Sequence, residues 1–473
     1  MSMFPSLGIR KDALEPRGSF AQAQATYLHP DGAAVEELDQ TLIQSKVGIV
    51  AHYYMDVELQ GILSSCSWTH IRISDSLLMA DTAVEMAEEG INTIVVLGVD
   101  FMSENVRAVL DSAGYTHVRV FRVDTREIGC SLAEAAEARV YGAWLNKAKT
   151  HTNPVHVIYI NTSLQVKALS HSVVPTITCT SSNVLHTILQ IAHQIPDSTI
   201  WYGPDTYMGA NIYEVLKELS SLDDATVAEL HPDHNVKTIQ SLLTRYEYFR
   251  QGNCIVHHMF GNDVVDIVRT DYADAYHTAH FEVPGEMFSL ASEAQRRGRG
   301  VVGSTANILQ FIAARVEEAL HSTDSAHIPV VLGTEAGMIT SIVRKVQDML
   351  QQSNRDDIVV EIIFPVASEA VAEDDQFGIV PGVKGGEGCS TAGGCATCPY
   401  MKMNSLDALF DILEQIQTQP IDALTAYEPK KYSQIIAGKT AAELGGEPIL
   451  FMRHFQRHGV FPDHLVEQIT TNR

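Results

Sequence analysis

The chain has 473 residues, of which 45% are hydrophobic and 19% charged, a composition typical of a soluble globular protein with about three domains. Its formal net charge of −25 disfavours binding to nucleic acid or to anionic lipid. No apolar run approaches the roughly 18 residues that span a bilayer, and residues 1–20 lack the pattern of a secretory signal or a transit peptide. We therefore expect no nucleic-acid partner, no membrane segment and a cytoplasmic location.

From about residue 45, short β-branched runs alternate with stretches of helical periodicity, the pattern of parallel α/β units. The alternation starts at KVGIVAHYY, restarts at VHVIYINTS and starts again at NCIVHHMFG, where a strand is predicted to begin at Cys254. Gly90 and Gly114 are predicted to end helices, because a left-handed residue there carries no steric cost. The pattern predicts three α/β modules, preceded by about forty irregular residues.

Four predicted strands end in hydroxyl-rich turns that open a helix. Ordinary N-capping explains any single turn of this kind. Several such turns together indicate a ligand site, because open α/β sheets bind ligands at the carboxyl ends of their strands and helix N-termini favour phosphate and carboxylate groups. An anionic small-molecule substrate is therefore expected. The turns are Asn161-Thr162-Ser163, Thr180-Ser181-Ser182-Asn183, Gly303-Ser304-Thr305 and Thr334-Glu335.

Seven cysteines in a chain of this length are too few and too scattered for a disulfide framework. Cys389, Cys395 and Cys398 lie close together, after a Gly-rich acidic stretch over 367–388 that is predicted to be a solvated loop. Their spacing is compatible with a zinc knuckle, a redox pair or part of an iron–sulfur site. A local zinc knuckle is disfavoured because the next histidine in the chain is His454.

The surroundings of Cys130 differ from those of Cys66 and Cys179. Cys130 precedes Ser131 and Glu134, which have the spacing of a capping box at a helix start, where the positive helix end favours a thiolate. Cys66 and Cys179 are predicted to be buried small hydrophobic residues.

Polar and aromatic side chains recur where predicted strands end in all three modules. A lone histidine at such a position is more often structural than catalytic. Recurrence in three modules indicates one shared centre if the modules pack around a common axis. The residues are His52, Tyr53, Tyr54, Tyr159, Asn161, His280 and Glu282.

Ten motifs in this order resemble the quinolinate synthase family: AHYYMDVELQG, SDSLLMA, IGCSLAEA, VIYINTS, CTSSNV, CIVHHMFG, AHFEVPGEM, VVGSTANIL, GTEAGM and CPYMKMNSL. The resemblance covers about residue 45 to the C-terminus and is closer to the plant-like branch. The N-terminal sulfur-transfer domain of some plant members is expected to be absent, so that separate iron–sulfur assembly proteins would supply the cluster.

The resemblance implies a transferase of NAD biosynthesis that condenses iminoaspartate with dihydroxyacetone phosphate to quinolinate, releasing phosphate and water. Iminoaspartate would come from an aspartate-oxidising enzyme. It also implies three similar αβα domains related by a pseudo-threefold axis around a central iron–sulfur cluster. The expected division is an N-terminal extension (1–44), domain 1 (45–130, completed by 399–473), domain 2 (131–254) and domain 3 (255–398).

By the same resemblance, Cys130, Cys254 and Cys398 hold a [4Fe-4S] cluster with one open iron site, which would act as a Lewis acid. Tyr54, His280 and Glu282 are expected to be catalytic. The expected substrate-binding residues are His52, Ser76, Tyr159, Asn161, Ser181, His257, Ser304 and Thr305.

The chain departs from the compact bacterial pattern at two points. Val283 stands where the His-x-Glu motif often continues with cysteine, and Cys389 and Cys395 are more widely spaced than in the bacterial CxxCxxC. A regulatory disulfide between Cys389 and Cys395 is one hypothesis. A different cluster-bearing hydro-lyase and a non-catalytic redox or iron sensor remain as alternative functions.

Overall fold

The computed structural model describes residues 4–254, 256–257, 260, 262–365, 389–390, 394–395 and 398–471. Within them the chain is α/β, with three sheets that each contain four parallel strands. No helix of this part is both long and apolar enough to cross a membrane. The predicted acidic loop at 367–388 lies outside the described residues.

The N-terminal segment is not irregular as predicted. Its first two strands form an antiparallel hairpin, and the first of them also pairs antiparallel with Ile358–Ile363 near the other end of the chain. Strands of four residues show little periodicity, and their partner is remote in sequence, so local pattern could not reveal them. The elements are β1 (Ser6–Ile9), β2 (Leu14–Arg17), α1 (Ser19–Tyr27) and α2 (Gly32–Ser45).

The first module is a parallel sheet with helices between its strands. Gly90 and Gly114 have φ of +93° and +89°, which confirms the two predicted helix ends. The elements are β3 (Val47–His52), α3 (Val57–Leu63), β4 (Ile71–Ser74), α4 (Ser76–Glu88), β5 (Thr93–Leu97), α5 (Asp100–Ser112), β6 (Arg119–Arg122), α6 (Ser131–Glu137) and α7 (Arg139–Ala148), with strand order β4-β3-β5-β6.

The second module repeats this arrangement. Its central strand is buried along its whole length, as expected for a parallel sheet covered on both faces. The elements are β7 (Pro154–Tyr159), α8 (Leu164–Val173), β8 (Thr176–Cys179), α9 (Val184–Gln194), β9 (Thr199–Gly203), α10 (Thr206–Leu219), α11 (Asp224–Leu230), α12 (Val236–Leu243) and β10 (Tyr246–Tyr248), with strand order β10-β9-β7-β8.

The third module starts later than predicted. Cys254 does not begin a strand: it lies in an irregular stretch, and His257 lies in a short turn. The elements are α13 (Asn262–Asp271), β11 (Tyr276–His280), α14 (Gly285–Arg296), β12 (Gly300–Gly303), α15 (Thr305–Leu320), β13 (Ala326–Val331), α16 (Ile339–Ser353) and β14 (Ile358–Ile363), with sheet order β12-β11-β13-β14-β1-β2.

The C-terminal segment packs across two modules, whereas the sequence assigned it to the first alone. Its longest helix contacts α8 and β8 of the second module and α5 of the first. A Cβ at Gly445 would lie 2.1 Å from the carbonyl oxygen of Leu164, so this approach requires glycine. The elements are β15 (Cys389–Ser390), β16 (Gly394–Cys395), α17 (Leu406–Thr418), β17 (Ile435–Ile436), β18 (Lys439–Thr440), α18 (Ala441–His458) and α19 (Asp463–Thr471).

The three parallel sheets share one strand order. If the strands are numbered within their own module, each sheet has the order 2-1-3-4. The second strand is added on one side of the first and the third strand on the other side, so the strand order reverses between the first and third strands. Ligands of open α/β sheets bind beyond the carboxyl ends of the strands at this reversal. The fold therefore provides three equivalent places for functional side chains.

A buried histidine outside these strand ends makes the fold sensitive to acid. His156 on β7 is fully buried between the Tyr141 hydroxyl (2.8 Å from Nε2) and the Thr176 hydroxyl (3.2 Å from Nδ1). Burial, with a smaller effect of His171, lowers its pKa to about 3. Below about pH 6.5 the unfolded chain therefore binds a proton at His156 that the folded chain does not bind. As the pH falls further, this one group lowers the free energy of unfolding by about 1.4 kcal/mol per pH unit.

We expect His156→Gln to be less stable than the native chain at pH 7 but to lose less stability between pH 6.5 and 4. Thermal unfolding followed by circular dichroism at several pH values measures this difference. Parallel pH profiles for the two proteins would contradict it.

Candidate active site

One cavity collects side chains from all three modules. It contains no lysine or arginine among its described lining residues. Two of the predicted site residues, His257 and Ser304, are absent from its wall. The predicted residues that line it are His52, Tyr54, Ser76, Cys130, Tyr159, Asn161, Ser181, Cys254, His280, Glu282, Thr305 and Cys398.

The position of each side chain follows from the repeated strand order. The first strands of the three modules end at His52, Tyr159 and His280. The second strands, β4, β8 and β12, lead to Ser76, Ser181 and Thr305. The segments after the fourth strands, β6, β10 and β14, lead to Cys130, Cys254 and Cys398 respectively. Each module therefore supplies the same three kinds of position to the cavity.

Two of the three cysteine segments are joined by neighbouring residues. The Ser131 hydroxyl donates to the carbonyl of Asn253 at 3.1 Å, which links the Cys130 and Cys254 segments. Cys130 itself occupies the N-cap position of α6 without a side-chain cap bond, so the predicted capping box at Ser131 is wrong. Ser131 lies one position inside the helix and uses its hydroxyl for the link between modules.

The three thiols are free and hold their protons tightly. Burial raises the pKa of Cys130 to about 12, against the opposing effect of backbone N–H groups of Leu132 and Ala133 at the start of α6. Burial also raises the pKa of Cys254 and of Cys398 well above the usual range. A metal that binds here must displace these protons, so its affinity should rise with pH.

Glu282 is the centre of a buried acid–base group. Its Oε1 accepts a hydrogen bond from the Tyr159 hydroxyl, and its Oε2 lies 3.0 Å from Nδ1 of His257. The rings of His257 and His280 stack with centroids 5.1 Å apart. Burial alone would raise the pKa of Glu282, but the two histidines and the hydrogen bonds outweigh it and lower the pKa to about 2. Glu282 is therefore a carboxylate at neutral pH.

His280 is neutral at the same pH. Burial lowers its pKa to about 4, although the Glu282 carboxylate opposes this shift. Nδ1 of His280 accepts the backbone N–H of Glu282 at 3.3 Å. The pair therefore combines an ionised carboxylate with an uncharged imidazole in one buried place, which is a useful arrangement for proton transfer.

Tyr54 is fixed by contacts from two modules. Its hydroxyl lies 3.2 Å from the Thr334 hydroxyl, and its backbone N–H donates to Nδ1 of His52 at 3.1 Å. The buried amide of Gln60 donates to the carbonyls of Tyr53, Met55 and Gly337 at 2.7–2.9 Å. These bonds join the turn after β3 to the turn after β13.

Hydroxyl groups and helix N-termini form the polar part of the cavity wall. Ser76 and Thr305 are the first residues of α4 and α15. Ser304 instead caps α15: its hydroxyl donates to the Asn307 side chain at 2.8 Å and accepts the Asn307 backbone N–H at 3.3 Å. Because backbone N–H groups at helix starts attract anions, this wall can bind phosphate or carboxylate without a basic side chain.

Glu335 lines the cavity and was missed as a site residue by the sequence reasoning. It is buried, and it accepts a hydrogen bond from the backbone N–H of Cys398. Burial, together with the charge of Glu282, raises its pKa well above the usual range. The sequence places its turn, Thr334-Glu335, among the four that together indicate a ligand site, but it predicts no role for Glu335 itself.

Two groups of buried side chains have donor atoms close enough to hold a metal. Within the described residues they are Cys254, His257 and Glu335, and His257, His280 and Glu282, with donor atoms within 4.8 Å of one another. His257 belongs to both groups, which explains its place behind the cavity wall. Neither group contains more than one thiol.

The fold and the site together are those of an α/β enzyme with three modules, in which thiols, carboxyls and imidazoles surround one cavity. A family model described as "Quinolinate synthetase A protein" matches residues 35–431. A chloroplastic quinolinate synthase of Nicotiana tabacum is 52% identical over 482 residues, covering 99% of this chain and 67% of the relative. The chain belongs to the quinolinate synthase family, whose members are enzymes of NAD biosynthesis.

The similarity extends to plants and bacteria. A chloroplastic quinolinate synthase of Arabidopsis thaliana is 50% identical, covering 98% of this chain and 67% of the relative. A quinolinate synthase of Ehrlichia chaffeensis is 27% identical, covering 80% of this chain and 87% of the relative.

The expected cytoplasmic location is contradicted by the plant relatives. The four plant relatives reported at 50–52% identity are each named chloroplastic. The pattern of residues 1–20 was not evidence of location, because the chain spans about two thirds of the length of those relatives.

Proposed function

We propose that this chain condenses iminoaspartate with dihydroxyacetone phosphate to quinolinate, releasing phosphate and water, with a [4Fe-4S] cluster bound by Cys130, Cys254 and Cys398. The observation that carries the proposal is the meeting of these thiols with the Glu282 group and the helix N-termini in one cavity. In this proposal an aspartate-oxidising enzyme supplies iminoaspartate, and separate iron–sulfur assembly proteins supply the cluster.

The repeated strand order supports a further part of the proposal. Three sheets of order 2-1-3-4, each contributing one thiol, are what three αβα domains around a pseudo-threefold axis would give. The proposed domains are 45–130, 131–254 and 255–398. The N-terminal hairpin and the segment 399–473 then act as additions that cover these domains.

The donor set fits an iron–sulfur cluster better than a single zinc ion. Zinc–sulfur bonds of about 2.3 Å require sulfurs roughly 4 Å apart. Within the part of the chain that the structure describes, no group of donors within 4.8 Å contains the three thiols together. Thiols that are farther apart than this are compatible with separate corners of a larger cluster. A cluster with three protein ligands supplies a Lewis-acidic iron site for a substrate hydroxyl or carboxylate.

The protein's own residues then bind and orient the substrates and move protons. The N-termini of α4 and α15, with Ser76 and Thr305, would hold the phosphate and carboxylate groups. Asn161, Ser181 and His52 would orient them from the other walls. Within the described wall the carboxyl side chains are Asp75, Glu282 and Glu335, and there is no lysine or arginine, so backbone N–H groups and hydroxyls would bind the substrates' anionic groups.

Proton transfer falls to Glu282 and His280. Imine formation, isomerisation and loss of water each need a proton removed from one atom and delivered to another. Oε2 of Glu282 is the base in this proposal, with His257 Nδ1 beside it to stabilise the charge. Nδ1 of His280 is engaged by the backbone, so Nε2 is the nitrogen that would exchange a proton with the leaving hydroxyl.

An anaerobic assay tests this function. The reconstituted protein is mixed with iminoaspartate and dihydroxyacetone phosphate, and quinolinate and phosphate are measured by chromatography. Equal amounts of the two products, dependent on both substrates, are expected. Protein with a full cluster that releases no quinolinate would overturn the proposal, and a cluster-bearing sensor would then be the better description.

Replacing Tyr54 with phenylalanine tests the assignment of its hydroxyl. We expect kcat to fall by about 100-fold, because a positioned proton donor is lost while ring packing against His52 is kept. Iron content should not change. Tyr53→Phe is the matched control, since Tyr53 is the neighbouring residue and does not line the cavity. Equal activity of the two variants would contradict a catalytic role for Tyr54.

A further inference from the structure

We infer that Lys167 is a positioning residue for Asn161, holding the turn that carries this residue at the cavity wall, and that Glu104 supports it. The inference rests on the proposed function of the cavity. It concerns residues on which neither the family resemblance nor the cavity lining placed a role.

Lys167 is joined to the turn on both sides of Asn161. It lies on α8 with 0% of its surface exposed. Its Nζ donates to the carbonyl of Ile160 at 3.0 Å and to the carbonyl of Thr162. Asn161, between these two carbonyls, lines the cavity, while Lys167 does not. The hydrogen bonds of Lys167 therefore reach the cavity wall through the turn.

Within the described residues few other bonds tie the turn to the rest of the chain, and one of them comes from the Ser163 hydroxyl, which donates to Glu137 Oε1 at 3.4 Å. The backbone N–H of Ile160 donates to the carbonyl of Cys179 at 2.9 Å, and the Thr162 hydroxyl donates to the carbonyl of Tyr159 at 3.1 Å. The second of these bonds is internal to the turn. The ammonium group is what ties both flanking carbonyls to the body of α8.

Glu104 supplies the opposite charge from the first module. It is buried on α5, its Oε2 accepts the backbone N–H of Leu164 at 3.0 Å, and its Oε1 accepts the hydroxyl of Tyr432 at 2.8 Å. Burial lowers the pKa of Lys167 to about 7, and the Glu104 carboxylate opposes that shift. The charge of Glu104 thus helps to keep an ammonium on Lys167, where burial alone favours loss of the proton.

This arrangement connects three parts of the chain behind the cavity. Glu104 comes from the first module, Lys167 from the second and Tyr432 from the C-terminal segment. Phe101, which lines the cavity, has its ring centroid 6.0 Å from the Lys167 nitrogen. A buried charge is unfavourable unless its hydrogen bonds are satisfied, and here those bonds go to the carbonyls flanking a cavity residue.

A double-mutant cycle between Lys167→Met and Asn161→Ala tests the inference. Methionine keeps the length of the side chain and removes the donors. We expect each single variant to lower kcat/KM by about 10- to 100-fold, mainly through KM, because a misplaced binding group costs up to about 100-fold. The double variant should be no worse than Asn161→Ala alone. Iron content is measured for every variant, and the affinity of each for quinolinate is measured by calorimetry.

The controls separate positioning from loss of stability. Thr176→Val removes a buried hydroxyl bond to the carbonyl of Val174 in the same module, away from the turn. It should lower the melting temperature without raising KM. Glu104→Gln serves if Lys167→Met does not fold, and it should raise KM by a smaller factor that also disappears in the Asn161→Ala background.

Two results would overturn the inference. The first is full additivity of the effects of Lys167→Met and Asn161→Ala. Where Glu104→Gln replaces Lys167→Met, it is full additivity of Glu104→Gln and Asn161→Ala. The second is a Lys167→Met or Glu104→Gln variant with native KM and native affinity for quinolinate. Failure of the native protein to make quinolinate is a different result and would count against the proposed function.

Discussion

Replacing Cys254 with serine is expected to remove the iron–sulfur cluster and to lower quinolinate formation by more than about 100-fold. Loss of even an outer-shell partner of a metal site commonly costs 10- to 100-fold, and in the proposed site Cys254 is a direct ligand. Iron and sulfide analysis of the anaerobically reconstituted variant, with the quinolinate assay, gives the result.

Cys66→Ser is the matched control for this variant. Cys66 is a partly buried free cysteine that lies outside the cavity wall, and its thiol contacts the carbonyl of Ile62. It should keep native iron and native activity. Retention of a full cluster in Cys254→Ser, or its loss in Cys66→Ser, would contradict the assignment of the ligand.

Replacing Glu282 with glutamine is expected to lower kcat by about 10²- to 10⁴-fold while the cluster stays in place. The amide has the same shape but cannot accept a proton, and the loss lies in the range usual for a general base. The substitution also removes the carboxylate that lies beside Nδ1 of His257. Rapid-quench measurement of quinolinate under saturating substrates separates this effect from binding.

Glu361→Gln controls for the loss of a carboxylate elsewhere. Glu361 lies on β14, where it contacts Arg17 and His327 far from the cavity wall. It should leave kcat unchanged. A Glu282→Gln variant with native kcat would assign the base to another group, and loss of iron in that variant would instead make Glu282 part of the cluster site.

The sequence predicted most of the site because its chemistry sits at strand ends. His52, Tyr159 and His280 could be placed there from alternating apolar patterns alone, and the parallel sheets bring such positions to one edge. The family resemblance implied roles for these residues, and those roles stay predictions. Their actual meeting in one cavity required the packing of three modules, which no local pattern encodes.

The features that could not be predicted depend on contacts between distant segments. The N-terminal strand β1 pairs with β14, and Ser131 bonds to Asn253 instead of capping its own helix. Glu335 was overlooked because its partner, the backbone of Cys398, comes from another part of the chain. The apolar run after Cys254 suited a strand, but the structure turns there and places His257 beside Glu282.

One prediction about the last cysteines stays open. The backbone of Cys389 lies directly opposite that of Cys395 in the short β15–β16 ladder. Their side chains are outside what the structure describes, so the regulatory disulfide remains a hypothesis. Unchanged activity of a Cys389→Ser, Cys395→Ser double variant under oxidising and reducing conditions would end it.

The most direct test of the account is the position of iron in anaerobically grown crystals, measured by anomalous scattering at the iron edge. The account predicts one [4Fe-4S] cluster in the cavity, bound by Cys130, Cys254 and Cys398, with the fourth iron free of protein ligands. Iron held elsewhere, or a fourth ligand such as Glu335 or His257 closing the open iron, would contradict it.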